Sequence, residues 1–298
     1  MTEPALTQGE IDARVFELYD EYCHGHIDRR EFLHRASVLT VGGVSALAMA
    51  QALLPRYAQA QTISFTDSRI KARYVTYPSP GGTSGTMRGY LVQPNGQGPF
   101  PPVLVVHENR GLNPYIEDVA RRVATEGFVA LAPDGLFPVG GYPGNDDDGR
   151  TLQANLDQGK LRTDMLNSAR FLKTHTLSNG KLGVTGFCWG GTTTNFLAVE
   201  LGADMQAGAP YYGAAAATDG VPKIKARLLL HFAETDPNIN GMWPAYETAL
   251  KANNVRYEAY TYPGTQHGFH NNSTPRYKED AAKLSWERTV AFFKKHLT

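Results

Sequence analysis

The chain has little cysteine, no net charge and no long, strongly apolar run. Its 298 residues contain two cysteines, Cys23 and Cys188, far apart in sequence, which excludes a disulfide framework. No CxxC pair occurs, and Cys23-His24-Gly25-His26 lacks the second ligand pair of a structural zinc site. That cluster reads as a solvated linker, with metal binding the lesser alternative. Twenty-nine basic residues balance 29 acidic ones, so the electrostatic attraction that drives binding to nucleic acid is missing. The apolar stretch at residues 38–54 is interrupted by Thr40, Gly42, Gly43, Ser45 and Gln51. It falls short of the roughly 20 apolar residues that a membrane-spanning helix needs, so no stable span is expected. Internal repeats and low-complexity tracts are absent as well.

What is present begins with an N-terminal segment of distinct character. Asp28-Arg29-Arg30-Glu31-Phe32-Leu33 precedes the weakly apolar stretch, and Ala58-Gln59-Ala60 follows it. Charged region, apolar region and small-x-small site stand in the order of an export signal, and the arginine pair resembles the twin-arginine type. The implied partner is the twin-arginine export machinery, with cleavage after Ala60 and a periplasmic or secreted product. The competing reading is a retained helical arm, supported by Ile11, Val15, Phe16 and Tyr19 at near-helical spacing; the protein would then be cytoplasmic. The expected division is residues 1–60 as signal segment and 61–298 as a single domain.

Beyond residue 61, residues 70–77 and 87–92 read as an opening antiparallel pair. Residues 103–106 and 128–132 are continuous apolar runs, the mark of strands buried on both faces. Between them Asn113-Pro114 supplies a cap and first turn for a helix with Ile116, Val119, Ala120, Val123 and Ala124 on one face. Residues 135–149, rich in Gly, Pro and Asp, read as a surface loop of the kind that meets substrate. A helix carrying Leu161, Met165, Leu166, Ala169 and Leu172 follows, then strands at 207–211, 227–232 and 257–262. A closing helix carries Trp286, Val290, Phe293 and Leu297. This alternation predicts an α/β protein, with a mostly parallel central sheet covered by helices on both faces.

The chemistry centres on Gly186-Phe187-Cys188-Trp189-Gly190-Gly191. An apolar strand running into Gly-x-Cys-x-Gly and then a helix is the form of a nucleophile elbow, which lifts one side chain clear of the backbone. A thiol nucleophile needs a base, and the base an orienting carboxylate. Asp236 and His267 stand just past the next strands, in the nucleophile, acid, base order of the α/β-hydrolase fold. Glu234 is a rival acid, whereas His231, within a buried strand, reads as a satisfied core residue.

From about Arg73 onward the chain resembles the dienelactone hydrolase family. Its Gly-x-Cys-x-Gly-Gly elbow, the spacing of Asp236 and His267, Gly264-x-x-His267-x-Phe269 and Tyr211-Tyr212-Gly213 carry the resemblance. The resemblance implies that Glu108 contacts and tunes the resting thiol, and that the backbone N–H groups of Asn109 and Trp189 form the oxyanion hole. It also nominates Arg110, Tyr211, Tyr212, Phe269 and Asn271 for the substrate pocket. One position departs: Asn271 stands where the family carries an arginine for the substrate carboxylate, with Arg110, Arg150 and Arg276 as possible substitutes.

The expected activity is hydrolysis of a small-molecule ester or lactone through a thioester acyl-enzyme, without metal or organic cofactor. Acyl transfer or thioester hydrolysis on the same triad, a non-catalytic binding role, and a metal site of His107, Glu108 and His270 are the alternatives.

Overall fold

The computed structural model describes residues 57–298 and, upstream of them, Leu18, Glu21, Tyr22, Ile27 and Arg29–Leu39. The Cys23 cluster, the helical stripe of Ile11 to Tyr19 and most of the apolar stretch at 38–54 lie outside the described residues.

Eight strands form one sheet in the order β1-β2-β4-β3-β5-β6-β7-β8. They are β1 (Ile70–Ser79), β2 (Gly85–Pro94), β3 (Pro102–Val106), β4 (Val129–Pro133), β5 (Leu182–Phe187), β6 (Met205–Tyr211), β7 (Arg227–Thr235) and β8 (Tyr257–Gln266). β1 and β2 pair antiparallel, and β2 pairs antiparallel with β4. From β4 to β8 every pairing is parallel.

Among the described residues, helices run over α1 (Arg29–Leu39), α2 (Pro114–Thr125), α3 (Asp146–Ala154), α4 (Gln158–Lys173), α5 (Trp189–Leu201), α6 (Trp243–Ala252) and α7 (Glu279–Leu297). Single helical turns occur at Tyr57–Ala60 and Pro237–Asn240. Because successive side chains of a strand point to opposite faces, β3 feeds two cores. Val103 and Val105 pack with Ile116, Val119 and Phe293 from α2 and α7, while Leu104 and Val106 pack with Leu161, Met165 and Leu197 from α4 and α5. The sheet is therefore covered on both faces, as an α/β-hydrolase fold requires. No helix among the described residues is long and apolar enough to cross a membrane.

Two elements differ from expectation. Within the supposed surface loop at 135–149, Asn145 caps α3 by accepting the Asp148 amide, and three aspartates occupy its first turn, where the helix dipole favours negative charge. Asp146, Gly149 and Gln153 of this helix are buried. The last two strands also run further than their apolar cores. A register shift between Ala233 and Thr235 lets Thr235 pair with Gln266, beyond Pro263-Gly264.

Candidate active site

The pairing of Thr235 with Gln266 makes Asp236 and His267 the next residue of each strand, so the strand ends deliver them side by side. His267 Nδ1 meets Asp236 Oδ2 at 2.7 Å, and both residues are 5% exposed. Asp236 Oδ1 accepts the Ile239 amide and caps the turn that follows. The aspartate thus serves as cap and as histidine partner at once. The rival Glu234 is exposed and accepts the Gly264 amide at 2.8 Å instead.

Cys188 lies at the end of β5 with φ 56° and ψ −114°, a left-handed conformation that L-residues rarely adopt. The strain is held in place by close backbone packing. A Cβ on Gly186 would stand 2.3 Å from the Gly190 carbonyl, and one on Gly190 would stand 2.3 Å from the Val106 carbonyl. The Cys188 amide donates to the Tyr211 carbonyl at 3.1 Å, and its carbonyl accepts the Thr192 amide at 3.0 Å. Thr192 Oγ1 in turn accepts the Ala214 amide at 2.9 Å, locking the elbow to the turn after β6.

Burial disfavours a charged His267, but the Cys188 sulfur and the Asp236 carboxylate, both bonded to the ring, outweigh it and push its pKa up to about 10. Burial also raises Glu108 above the usual carboxylate range, and the neighbouring Cys188 adds to the rise, while Arg110 and Arg276 oppose it. Glu108 Oε2 accepts the Asn271 side-chain amide at 3.1 Å. Asn271 Oδ1 is engaged by Ser273, through its amide at 3.0 Å and its hydroxyl at 2.6 Å.

The remaining nominated residues divide between site and core. Tyr212 packs its ring on His267 with centroids 4.9 Å apart. Tyr211 does not face the site: its hydroxyl donates to the Ser285 carbonyl and bonds Thr289 in the core beneath α7. Phe269 is fully buried against Tyr212 and Tyr262. Trp189 stacks on His107, with ring centroids 5.4 Å apart and an interplanar angle of 12°. Asn109 Oδ1 accepts Arg110 Nε at 3.3 Å. Arg110 is held by Asp146 at 2.7 Å, Arg276 is buried beside Glu108, and Arg150 reaches Asp147 at 3.9 Å instead of the site.

The three other histidines of interest have structural work. His107 Nδ1 donates to the Glu108 carbonyl at 2.6 Å and Nε2 accepts the Gly135 amide, so both its nitrogens are engaged with backbone. His270 Nδ1 bonds the Tyr115 hydroxyl at 2.6 Å. His231 sits between Tyr262 and Thr289, and burial pushes its pKa down to about 3. Among the described residues no cluster of His, Cys, Asp and Glu forms a metal site. Sequence reasoning missed Asp146, Tyr57 and Tyr142, which support the Arg110 loop. Asp146 is one of three consecutive aspartates, and nothing in their order marks which is buried.

A model of the dienelactone hydrolase family matches residues 87–297, and a shorter one, described as YqhI-like, matches residues 3–42. The chain is 63% identical over 115 residues to the hydrolase fragment YghX of Escherichia coli, covering 38% of this chain and 97% of the fragment. It is 32% identical over 251 residues to a protein of Synechocystis named as a carboxymethylenebutenolidase, covering 76% of this chain and 98% of the relative. The crystal structure of a Klebsiella pneumoniae protein described as a dienelactone hydrolase superposes with a TM-score of 0.66 at 28% identity. That match spans 76% of this chain and 99% of the other.

Proposed function

Since the chain belongs to the dienelactone hydrolase family and is an ester or lactone hydrolase, we propose that it works through Cys188, His267 and Asp236. The observation that carries this reading is the His267–Asp236 bond at 2.7 Å, with the Cys188 sulfur as the other partner of the same imidazole.

In the proposed reaction the Cys188 thiolate attacks the carbonyl carbon of the ester. The Asn109 and Trp189 N–H groups receive the oxyanion, the second from the first turn of α5, where the helix dipole adds to the effect. As the C–O bond breaks, the His267 imidazolium gives its Nε2 proton to the leaving alkoxide and a thioester remains. A water then passes a proton to His267 and attacks the thioester, which expels the thiolate and releases the acid. Asp236 holds the imidazole in the tautomer that directs Nε2 at the sulfur. Glu108 sets the cost of the free thiolate, since two negative charges cannot share this buried corner cheaply.

Replacing Cys188 with Ala tests the reading. Hydrolysis of a neutral aryl ester should fall to background, and a variant with undiminished kcat would refute the assignment.

A further inference from the structure

Two aromatic side chains from the segment ahead of residue 61 rest on α3. Tyr57 donates its hydroxyl to Asp146 Oδ1 at 2.6 Å and accepts the Asn113 amide at 2.8 Å. Tyr22, buried and stacked on Phe32 of α1 with centroids 5.1 Å apart, lies beneath the Arg150 guanidinium, 4.1 Å from the ring centroid. Asp146 and Arg150 are four residues apart and so share one face of the helix. The chain after Tyr57 continues the attachment. The Ala60 carbonyl accepts the Asn272 amide at 2.8 Å, and the Thr62 and Ile63 amides donate to Asp118 at 3.0 and 2.8 Å.

Asp146 joins this segment to the site. Its Oδ1 also accepts the Tyr142 hydroxyl at 2.8 Å, and its Oδ2 takes Arg110 Nη1 at 2.7 Å. Arg110 is 5% exposed and Asp146 9%, so the ion pair is buried and its geometry depends on the donors that satisfy the carboxylate. Arg110 belongs to the loop after β3 that presents Glu108 and Asn109. Burial and the Asp146 carboxylate push the Tyr57 phenol well above its ordinary range, which keeps it a donor at any working pH.

We propose that Tyr57 is a positioning residue of the hydrolase: through Asp146 and Arg110 it holds the loop bearing Glu108 and Asn109 in register with Cys188. The segment expected to be removed after Ala60 is therefore part of the working enzyme, at least from Tyr57 onward. The inference rests on the roles assigned to Cys188 and Asn109.

The test is Tyr57→Phe in the full chain, which keeps the ring and removes one donor from a carboxylate that retains Tyr142 and Arg110. With a neutral aryl ester, kcat should fall about tenfold with KM within about twofold, because a loosened loop costs transition-state stabilisation more than binding. The melting temperature should change by no more than a few degrees, and Tyr57→Ala should lose at least as much kcat. An unchanged kcat in both variants would overturn the proposal. So would a product whose intact mass begins at Gln61 and whose kcat equals that of the full chain. Cys188→Ala, assayed alongside, separates the two readings: residual turnover there would unseat the nucleophile, while the kcat ratio of Tyr57→Phe to the unaltered chain reads the loop support by itself.

Discussion

Asn271 donates its side-chain amide to Glu108 across the candidate site, Nδ2 to Oε2 at 3.1 Å. The resemblance to dienelactone hydrolases places an arginine at this position, where a guanidinium would meet the substrate carboxylate. Here a neutral amide is committed to the protein's own carboxylate, and Arg110 is committed to Asp146. Asn271 thus satisfies Glu108, and Arg110 and Arg276 are the cations that act on that carboxylate.

Substrate charge is the first consequence. A carboxylate placed near Asn271 would gain an ordinary amide bond in place of a charge-assisted bidentate pair and would lie beside Glu108. Comparing kcat/KM for a carboxylate-bearing dienelactone and a neutral aryl ester should favour the neutral ester by about tenfold or more, given that charged hydrogen bonds are roughly twice as strong as neutral ones.

The two candidate acids differ in what they touch. Asp236 reaches His267, whereas Glu234 is spent on Gly264. Asp236→Asn should lower kcat by about 10²–10⁴-fold through loss of the correct tautomer. Glu234→Gln, at an exposed position, should leave kcat within about twofold, the ordinary range for surface changes. Steady-state rates of the two variants measure both.

His267 offers a spectroscopic prediction. Burial lowers its pKa, but Cys188 and Asp236 together carry it up to about 10 from the ordinary 6.5. Histidine titration by NMR should find this ring protonated well above pH 7. Cys188→Ser should bring its pKa down, because the sulfur is the largest upward contribution. Since the folded value is the raised one, the histidine's own contribution to stability is complete below about pH 6.5 and is lost as pH rises through 10.

The elbow tolerates no added methyl group. At Gly190 a Cβ would meet the Val106 carbonyl at 2.3 Å and the His107 carbonyl at 2.6 Å, whereas at Gly96 it would meet nothing within 4 Å. Gly190→Ala should cost about 3 kcal/mol or more, at the upper end of overpacking, and Gly96→Ala should be close to neutral. Urea unfolding of the two variants distinguishes them.

Much of this architecture was legible in the sequence because its signals are local. The strands at 103–106 and 128–132 announce themselves as unbroken apolar runs, and Asn113-Pro114 marks a helix start that its side chain then caps. The elbow could be read because only small residues fit where Gly186 and Gly190 approach each other. What escaped depends on contacts between distant parts of the chain. Tyr211 and Tyr212 are adjacent and alike, yet one packs under α7 and the other against His267. Tyr212 has φ 38°, a turn that no local pattern announces. Residues 135–149 have the composition of a loop, and only the pairing of Asp146 with Arg110 and Tyr57 shows why the helix within them is buried. The continuation of β8 past Pro263-Gly264 is likewise set by its partner β7, through a register shift that the apolar pattern does not contain.

Acylation of Cys188 can be read by mixing the enzyme with a slow-turnover aryl ester, quenching in acid within the burst, and mapping the peptides by mass. One acyl group is expected on the peptide containing Cys188, absent from Cys188→Ala and accumulating when water is limiting. Turnover at the full rate with no acyl adduct on Cys188, or with the adduct on another residue, would contradict it.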